Sequence, residues 1–366
     1  MRVVKMVSRH KLCGLLVLGG AGPLALFLYI LAWAQNYSAT TEGLRSVHKH
    51  LDGLSDTGNH TLYLAQQTDR MTQSSQGVLG QHIRHMCHKL KMLSDKRNIT
   101  NPAIFDHILV DDRFKVLYCQ VPKVACSNWR RVFLYLSGKV KAGSLLDLKL
   151  SDVHGAYDQH LTYLSDLTPE QIHYRLDNYY KFVFVREPFE RLLSAYRNKL
   201  VGQTSTAQYF KEKFGRFIIK RFRDKPLAAS VKDRMSRDLV DETDVRFTEF
   251  LHYLADRSRQ VPLNEHWAQY IHLCHPCVLQ YDFIGKYENL DADAQYVLRA
   301  IHADHLVTFP ARGTTYRHNR TADYLSHYYG DVHPSLLRRI YRLYQPDFLL
   351  FNYSVPSNMQ QLMDRT

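Results

Sequence analysis

The fold is decided by residues 115–132, KVLYCQVPKVACSNWRRV. An apolar, β-rich run is followed by a Pro-Lys turn, by small and polar residues, and then by Trp129 and Val132 on one helical face. This order predicts a strand, a loop and a helix. The start of such a helix presents free backbone N–H groups to an anion, and Lys123 adds a positive charge beside them. The stretch therefore predicts an anion-binding loop.

The residues of this loop differ from those of the common nucleotide-binding loop. Ser127 and Asn128 are able either to cap the helix or to donate hydrogen bonds directly to a phosphate. The G-x-x-x-x-G-K-[ST] spacing is absent, which argues against an ATP or GTP hydrolase. The candidate phosphate-contacting residues are Pro122, Lys123, Val124, Ala125, Cys126, Ser127 and Asn128.

A second strand, loop and helix is predicted at residues 180–199, YKFVFVREPFERLLSAYRNK. Pro188 suits the first helical position. Arg186 at the end of the strand and Ser194 two turns into the helix are able to converge on one phosphate. Taken alone, Arg186 is as readily explained by a salt bridge with Glu190. Two such elements on successive strands predict a ligand with two separated phosphates.

The segments around these motifs define the fold class and the domains. From about residue 102, strand-like runs alternate with amphipathic helical stretches, which predicts an α/β fold with a central, mainly parallel sheet flanked by helices. Residues 102–366 are the predicted catalytic domain, and the polar residues 35–101 are a predicted stem. Residues 12–34 carry no charge and are long enough to cross a bilayer.

The charges at the N-terminus predict the orientation of that segment. The short tail, residues 1–11, carries four Lys and Arg residues and is expected to stay cytosolic, so that the rest of the chain is luminal. A cleaved signal peptide is the competing interpretation, because Ala32-Trp33-Ala34 loosely resembles a cleavage site. Five Asn-x-Ser/Thr sequons agree with a luminal location, at Asn36, Asn59, Asn98, Asn319 and Asn352.

The formal net charge of +13 favours polyanionic partners, and a luminal location selects an acidic polysaccharide over nucleic acid. The basic interval at residues 211–225 is either a solvated helix face or a surface that contacts a polyanion. Beyond Cys13, five cysteines remain, an odd number in an oxidising lumen. Residues 274–277, CHPC, are either part of a disulfide or a redox or zinc pair, but no second pair follows at zinc-ribbon spacing, so no metal is expected.

The two motifs resemble those of the carbohydrate sulfotransferases. Residues 122–129 resemble the 5′-phosphosulfate-binding loop of that family, and R-E-P-x-x-R-x-x-S at 186–194 resembles its 3′-phosphate-binding motif. The resemblance covers about residues 105–356. Within the family, the chondroitin and dermatan 4-O-sulfotransferase branch, which includes HNK-1-type enzymes, is indicated by LNEHW at 263–267, LCHPC at 273–277, YDFIGKYE at 281–288 and FLLFNY at 348–353.

The resemblance implies a P-loop-like sulfotransferase fold that takes 3′-phosphoadenosine 5′-phosphosulfate as donor and requires no metal. It implies transfer to position 4 of N-acetylgalactosamine in chondroitin or dermatan chains, by a type II protein of the Golgi membrane, with a homodimer left open. Lys123 would supply charge to the leaving phosphate, Arg186 and Ser194 would hold the 3′-phosphate, and Arg312 would be an extra nucleotide contact.

The general base is the least determined part of the site. His160, in HLTYL, resembles the position of the catalytic histidine in a related uronyl 2-O-sulfotransferase, and His154 lies six residues upstream. Glu265 and His266 are further candidates. Two other classes remain as rivals: a P-loop kinase, for which no magnesium ligands are evident, and a polysaccharide-binding protein without catalytic activity.

Overall fold

The computed structural model describes residues 58–92, 101–223, 244–310 and 321–365, with side chains from residue 67 onward. No helix in these ranges combines the length and the apolar character that a membrane span needs. The predicted anchor at 12–34 lies outside the described residues, as do Asn36, Asn98, Asn319 and Arg312. The side chain of Asn59 also lies outside them.

A five-stranded sheet forms the centre of the fold, in the order β3-β1-β2-β4-β5. Strands β2, β4 and β5 are parallel to one another, whereas β1 pairs antiparallel with both β2 and β3. The strands are β1 (Ile108–Asp111), β2 (Val116–Cys119), β3 (Thr162–Tyr163), β4 (Tyr180–Val185) and β5 (Phe283–Lys286).

The sheet is therefore mixed, and the expectation of a mainly parallel sheet is wrong for its β1–β3 side. The reason is the short connection between β1 and β2, residues 112–115, because a parallel pair needs a crossover of a dozen or more residues. The turn is closed by the backbone N–H of Phe114, which donates to Asp111 Oδ1 over 3.0 Å. The three parallel strands carry the two predicted motifs at their carboxyl ends.

Helices flank the sheet and build a second core beside it. The longer ones are α1 (Gly58–Lys89), α2 (Cys126–Leu136), α3 (Pro169–Asn178), α4 (Pro188–Lys199), α5 (Ser205–Phe210), α6 (Arg216–Phe222), α7 (Phe247–Ala255), α8 (Leu290–Ala300), α9 (Pro334–Leu350) and α10 (Ser357–Asp364). A π-helical turn, Lys211–Gly215, joins α5 to α6. Short helical segments occupy Leu150–Val153, Tyr270–Leu273, Pro276–Leu279 and Leu325–Tyr329.

Two hydrophobic clusters stabilise the domain. One surrounds the sheet and centres on aromatic residues such as Trp129, Phe182 and Phe184. The other joins α4, α7 and α9 through residues such as Trp267 and Phe250, whose ring centroids lie 5.3 Å apart. α4 thus begins just after β4 and packs in the second cluster. The segment after β4 is therefore fixed by the sheet cluster at its start and by the helical cluster at its end.

One compact unit spans Thr72–Thr366, and a separate unit spans Met1–Met71. Leu79, Ile83 and Met86 recur at helical spacing and are buried in the core. Gln76 exchanges two hydrogen bonds with the backbone of Ile284, which lies on the edge strand β5. This part of α1 therefore belongs to the folded domain and covers an exposed sheet edge.

The cysteines explain why α1 belongs to the fold. Disulfides join Cys87 to Cys277 and Cys119 to Cys274, so both cysteines of the C-H-P-C segment are bonded to distant partners. Cys126 is the free cysteine in the described part of the chain. No group of three or more metal-ligating side chains is present among the described residues.

Loss of the Cys87–Cys277 bond should destabilise the domain. We expect Cys87→Ser to lower the free energy of unfolding by about 2–5 kcal/mol, because the bond closes a very long loop. Chemical denaturation measures this loss in three variants: Cys87→Ser, Cys277→Ser and the double variant. The free energy of unfolding should fall by the same amount in all three. Cys126→Ser is the matched control. An unchanged Cys87→Ser midpoint would show that the helix is held without the bond.

Candidate active site

The loop after β2 has an unusual backbone. Lys123 and Ala125 adopt left-handed φ angles of 74° and 67°, which residues other than glycine rarely take. Such conformations cost about 1–3 kcal/mol each and are retained where the surroundings hold them. α2 then begins at Cys126, so the backbone N–H groups of its first turn lie directly beyond Lys123.

The carboxyl ends of β2 and β4 bring the two motifs together. The strands are parallel neighbours, and Arg186 follows directly after β4. Its Nη1 donates to the carbonyl of Lys123 over 3.4 Å, and its backbone N–H donates to the hydroxyl of Tyr270 over 2.9 Å. The guanidinium lies 4.3 Å from the centroid of the Tyr287 ring. Both predicted phosphate-binding elements therefore meet at one edge of the sheet.

Arg186 also forms the predicted salt bridge, with Nη2 donating to Glu190 over 3.0 Å. Its Nε is nevertheless buried and has no acceptor among the described residues. The same is true of Nδ2 of Asn128, a residue that is 1 % exposed. Trp129 Nε1, in the first motif, is a further buried donor without a partner in the described part of the chain. Because buried donors are almost always paired, the unpaired Nδ2 of Asn128 and Nε of Arg186 fit a bound anion at each motif. Ser194 lies half-buried on α4, on the same segment as Arg186.

Arg191, also part of the second motif, connects three backbone segments. Its Nε donates to the carbonyl of Pro122 over 3.2 Å, and its two Nη atoms donate to the carbonyls of Ala268 and Glu265 over 2.6 and 3.0 Å. Its guanidinium packs over the Tyr270 ring. Arg191 thus positions the loop of the first motif relative to the segment that carries Glu265. Because Nε and both Nη atoms already donate to carbonyls, few of its N–H groups remain for a ligand.

The site is strongly cationic. Burial lowers the pKa of Lys123 to about 8, and the charges of Lys199 and Arg186 act in the same direction, against the opposing effect of Cys126. Burial likewise lowers the pKa of Lys199. Cations held at such short range favour the binding of a multiply charged anion, although Arg186 is also paired with Glu190.

Of the candidate bases, His154 lies in direct contact with the first motif. Its Nε2 lies 2.7 Å from Ser127 Oγ. Burial and the nearby charges of Arg130 and Lys199 lower the pKa of His154 to about 4, so the imidazole is neutral at physiological pH. His154 also lines an open cleft of about 300 Å³, together with Asp106, His107, Gln120, Arg130, Asp158, Tyr163 and Glu265.

The other candidate bases lie at different places. His160 ends a short 3-10 turn and has its ring 6.2 Å from that of Tyr157. His160 does not line the cleft, in contrast to His154 and Glu265. His266 is buried, which lowers its pKa to about 2, and its ring Nδ1 lies 2.8 Å from Asn264 Oδ1.

A polar network that the sequence did not indicate supports one wall of the cleft. Arg130 on α2 forms an ion pair with Asp158, and its Nη1 donates to Gln120 Oε1 and to the Tyr163 hydroxyl over 2.9 and 3.0 Å. Its Nε donates to the carbonyl of Val153 over 3.1 Å, next to His154. Arg130 therefore holds the short helix before His154 against the phosphate loop.

Lys199, at the end of α4, is a second residue that the sequence did not single out. Its charge lowers the pKa of Lys123, His154 and His266, so it lies near the centre of the site. The sequence feature that could have identified Lys199 is its position in the helix of the second motif, less than two turns after Ser194.

Comparison with known proteins identifies the family of the chain. Residues 106–354 match the sulfotransferase family. The chain is 38% identical over 277 residues to carbohydrate sulfotransferase 11 of Rattus norvegicus, covering 75% of this chain and 74% of that protein. It is 40% identical over 313 residues to carbohydrate sulfotransferase 14 of Danio rerio, covering 86% and 78%.

A third relative, carbohydrate sulfotransferase 8 of Mus musculus, is 40% identical over 277 residues, covering 75% of this chain and 62% of that protein. No solved structure matches the chain. The family match includes both motifs and the residues that line the cleft. The chain therefore belongs to the sulfotransferase family and, within it, to the carbohydrate sulfotransferases.

Proposed function

We propose that the protein transfers a sulfuryl group from 3′-phosphoadenosine 5′-phosphosulfate to position 4 of N-acetylgalactosamine in chondroitin or dermatan chains. The observation that carries the proposal is the meeting of two anion-binding motifs, each with an unpaired buried donor, beside a neutral histidine and an open cleft. The donor has two separated phosphate groups, which matches two motifs on neighbouring strands.

The charges of the cleft support a hexosamine as the reacting sugar. Three carboxylates line the cleft: those of Asp106, Asp158 and Glu265. The Asp158 carboxylate is paired with Arg130, whereas Asp106 is largely exposed. A uronate in this position would bring its own carboxylate close to like charges, which is unfavourable. An uncharged N-acetylhexosamine meets no such repulsion, and its hydroxyl groups find many acceptors there.

In the proposed reaction, the residues of the two motifs hold the donor and the leaving group. The backbone N–H groups at the start of α2, with Ser127 and Asn128, bind the 5′-phosphate end, and Arg186 and Ser194 bind the 3′-phosphate. Lys123 donates to the oxygen on which negative charge develops as the sulfur–oxygen bond breaks. The bound adenosine 3′,5′-bisphosphate is the leaving group.

We assign the general base to His154. Its imidazole is neutral at physiological pH, faces the cleft and touches the phosphate loop through Ser127. It would accept the proton of the acceptor hydroxyl as that oxygen attacks the sulfur. Glu265 lines the same cleft and is the alternative base.

The proposed location is the Golgi lumen, with residues 12–34 as the anchor of a single-pass type II protein. The two disulfides support this location, because disulfides persist in oxidising compartments. Asn352 is half-buried with a φ of 51° and is the proposed glycosylation site whose side chain the structure describes.

The experiment that tests the proposed function supplies full-length protein with radiolabelled sulfate donor and with desulfated chondroitin, dermatan, heparan or keratan. We expect label on position 4 of N-acetylgalactosamine after disaccharide analysis. Transfer to a different glycan would support the proposed donor site but would contradict the proposed acceptor. Polysaccharide binding without donor binding would instead favour a protein without catalytic activity.

The lowered pKa of Lys123 predicts a pH dependence of nucleotide binding. Above about pH 8 the unbound protein carries a neutral Lys123, whereas a bound bisphosphate favours the ammonium form. Binding of adenosine 3′,5′-bisphosphate should therefore take up a proton above pH 8, and affinity should fall as the pH rises. Calorimetry in two buffers of different protonation enthalpy measures the uptake.

Two variants separate Lys123 from its neighbour in this titration. Lys123→Ala should abolish the proton uptake. Lys199→Ala should retain it but move it to higher pH, because the charge of Lys199 lowers the pKa of Lys123. An equal uptake in the Lys123→Ala protein would mean that another group titrates.

His154→Ala should reduce kcat by about 10²- to 10⁴-fold, because the hydroxyl proton loses its acceptor. Affinity for the nucleotide should change little. His160→Ala is the matched control, since His160 does not line the cleft, and should retain most of the activity. Steady-state kinetics with saturating donor provide the comparison. A near-normal rate for His154→Ala together with a large loss for Glu265→Gln would transfer the role to Glu265.

A further inference from the structure

A groove outside the cleft runs along the helix that follows the second motif. α5, the π-helical turn and α6 form one helical segment, Ser205 to Phe222, that is roughly 25 Å long. The groove beside it has a volume of about 660 Å³, within the usual range for ligand sites. We call it the basic groove; its lining residues are Gln203, Gln208, Lys211, Glu212, Arg216, Ile219, Lys220 and Arg223.

The cations of the basic groove differ in whether they already form an ion pair within the protein. Lys211 is paired with the buried Asp244, and Arg223 donates to Glu249 over 2.7 and 3.1 Å. Arg216 and Lys220 are exposed, and neither has an ion pair with another residue in the ranges that the structure describes. Four residues separate them in α6, so both charges face the same side of the helix. Among the described residues, the groove thus holds two exposed cations without an ion-pair partner, which suit an external anion.

The segment that carries the groove begins at the active site. Phe210, the last residue of α5, packs edge-on against His266 with ring centroids 5.0 Å apart. The ammonium group of Lys199 lies 4.6 Å from the centroid of the same ring. The next turn of α6 places Arg216 and Lys220 further along the same segment. The segment that carries Arg216 and Lys220 thus contacts the active-site residues His266 and Lys199 through Phe210.

We propose that the basic groove binds an anionic stretch of the acceptor polysaccharide while another sugar of the same chain lies in the cleft. This inference rests on the proposed function, because it assumes a polyanionic glycan acceptor. The carboxylates of Asp106 and Glu265 in the cleft oppose acidic groups there, so cations outside the cleft would favour binding of the acidic sugars of the chain. Gln203 and Gln208 line the same groove and add neutral donors and acceptors, which suits a chain of alternating acidic and neutral sugars.

The shape of the site favours a polysaccharide chain over a membrane surface. The groove is concave, and one of its lining residues, Glu212, is acidic. A flat anionic bilayer would contact protruding charges rather than a recess, and Glu212 would oppose it. A flexible linear chain is able to enter the recess and to avoid the single carboxylate. Binding assays with chondroitin and with lipid vesicles distinguish polysaccharide binding from membrane binding.

The test compares two double variants of the full-length protein. Arg216→Ser with Lys220→Ser removes the free cations of the groove, and Lys139→Ser with Lys141→Ser removes two exposed cations from the loop after α2. Both change the net charge equally. The kinetic substrates are long desulfated chondroitin and a short oligosaccharide that fills only the cleft.

We expect the groove variant to raise KM for the long chain about fivefold at low salt, with kcat and the short-substrate KM unchanged. The salt dependence of KM for the long chain should also become weaker, because fewer counterions are released. The loop variant should behave like wild type. An unchanged long-chain KM in the groove variant, or an equal rise in the loop variant, would overturn the proposal.

Direct binding keeps this inference separate from the proposed function. Immobilised chondroitin measures retention of each protein without donor, and phosphatidylserine vesicles serve as the membrane probe. Weaker retention of the groove variant on chondroitin supports the groove even if no transfer to chondroitin is detected. Loss of vesicle binding with unchanged chondroitin retention would assign the groove to a membrane and overturn the proposal.

Discussion

The active site depends on the guanidinium of Arg191. It donates hydrogen bonds to the carbonyls of Pro122, Glu265 and Ala268, which belong to the phosphate loop and to the wall of the cleft. Hydrogen bonds from a charged donor contribute about 1.5–3 kcal/mol each, and a buried carbonyl left without one is costly. The left-handed Lys123 and Ala125 are held in place beside this contact. One buried cation thus fixes the distance between the donor loop and the cleft.

This arrangement also explains the electrostatics of the site. Lys123, Lys199 and the two motif arginines lie close together. Burial lowers the pKa of Lys123, His154 and His266, and nearby cations add to this effect. A protein tolerates such a cluster at a cost to stability, because a multiply charged donor neutralises it on binding. Burial, together with the charges of Arg130 and Lys199, lowers the pKa of His154 to about 4. The buried, cationic surroundings of the site therefore keep the proposed base unprotonated.

The sequence predicted the parts of the fold that are local. Each motif is a contiguous strand, loop and helix, so hydrophobic periodicity and small residues were sufficient to find Lys123, Arg186 and their neighbours. The partners of Arg191 lie 69 to 77 residues away along the chain, and no local pattern reports such contacts. The antiparallel orientation of β1 was not predicted, because its short apolar sequence resembles those of the parallel strands. The domain part of α1 was hidden by the polar residues that surround Leu79 and Ile83.

The central claim is that the two motifs form one donor site with its unpaired donors directed at the two phosphate ends. A crystal structure of the protein with adenosine 3′,5′-bisphosphate tests it most directly. The account predicts that Arg186 Nε hydrogen-bonds the 3′-phosphate and that Asn128 Nδ2 and the start of α2 hydrogen-bond the 5′-phosphate. A nucleotide bound away from the carboxyl ends of β2 and β4, with both donors still unpaired, would contradict it.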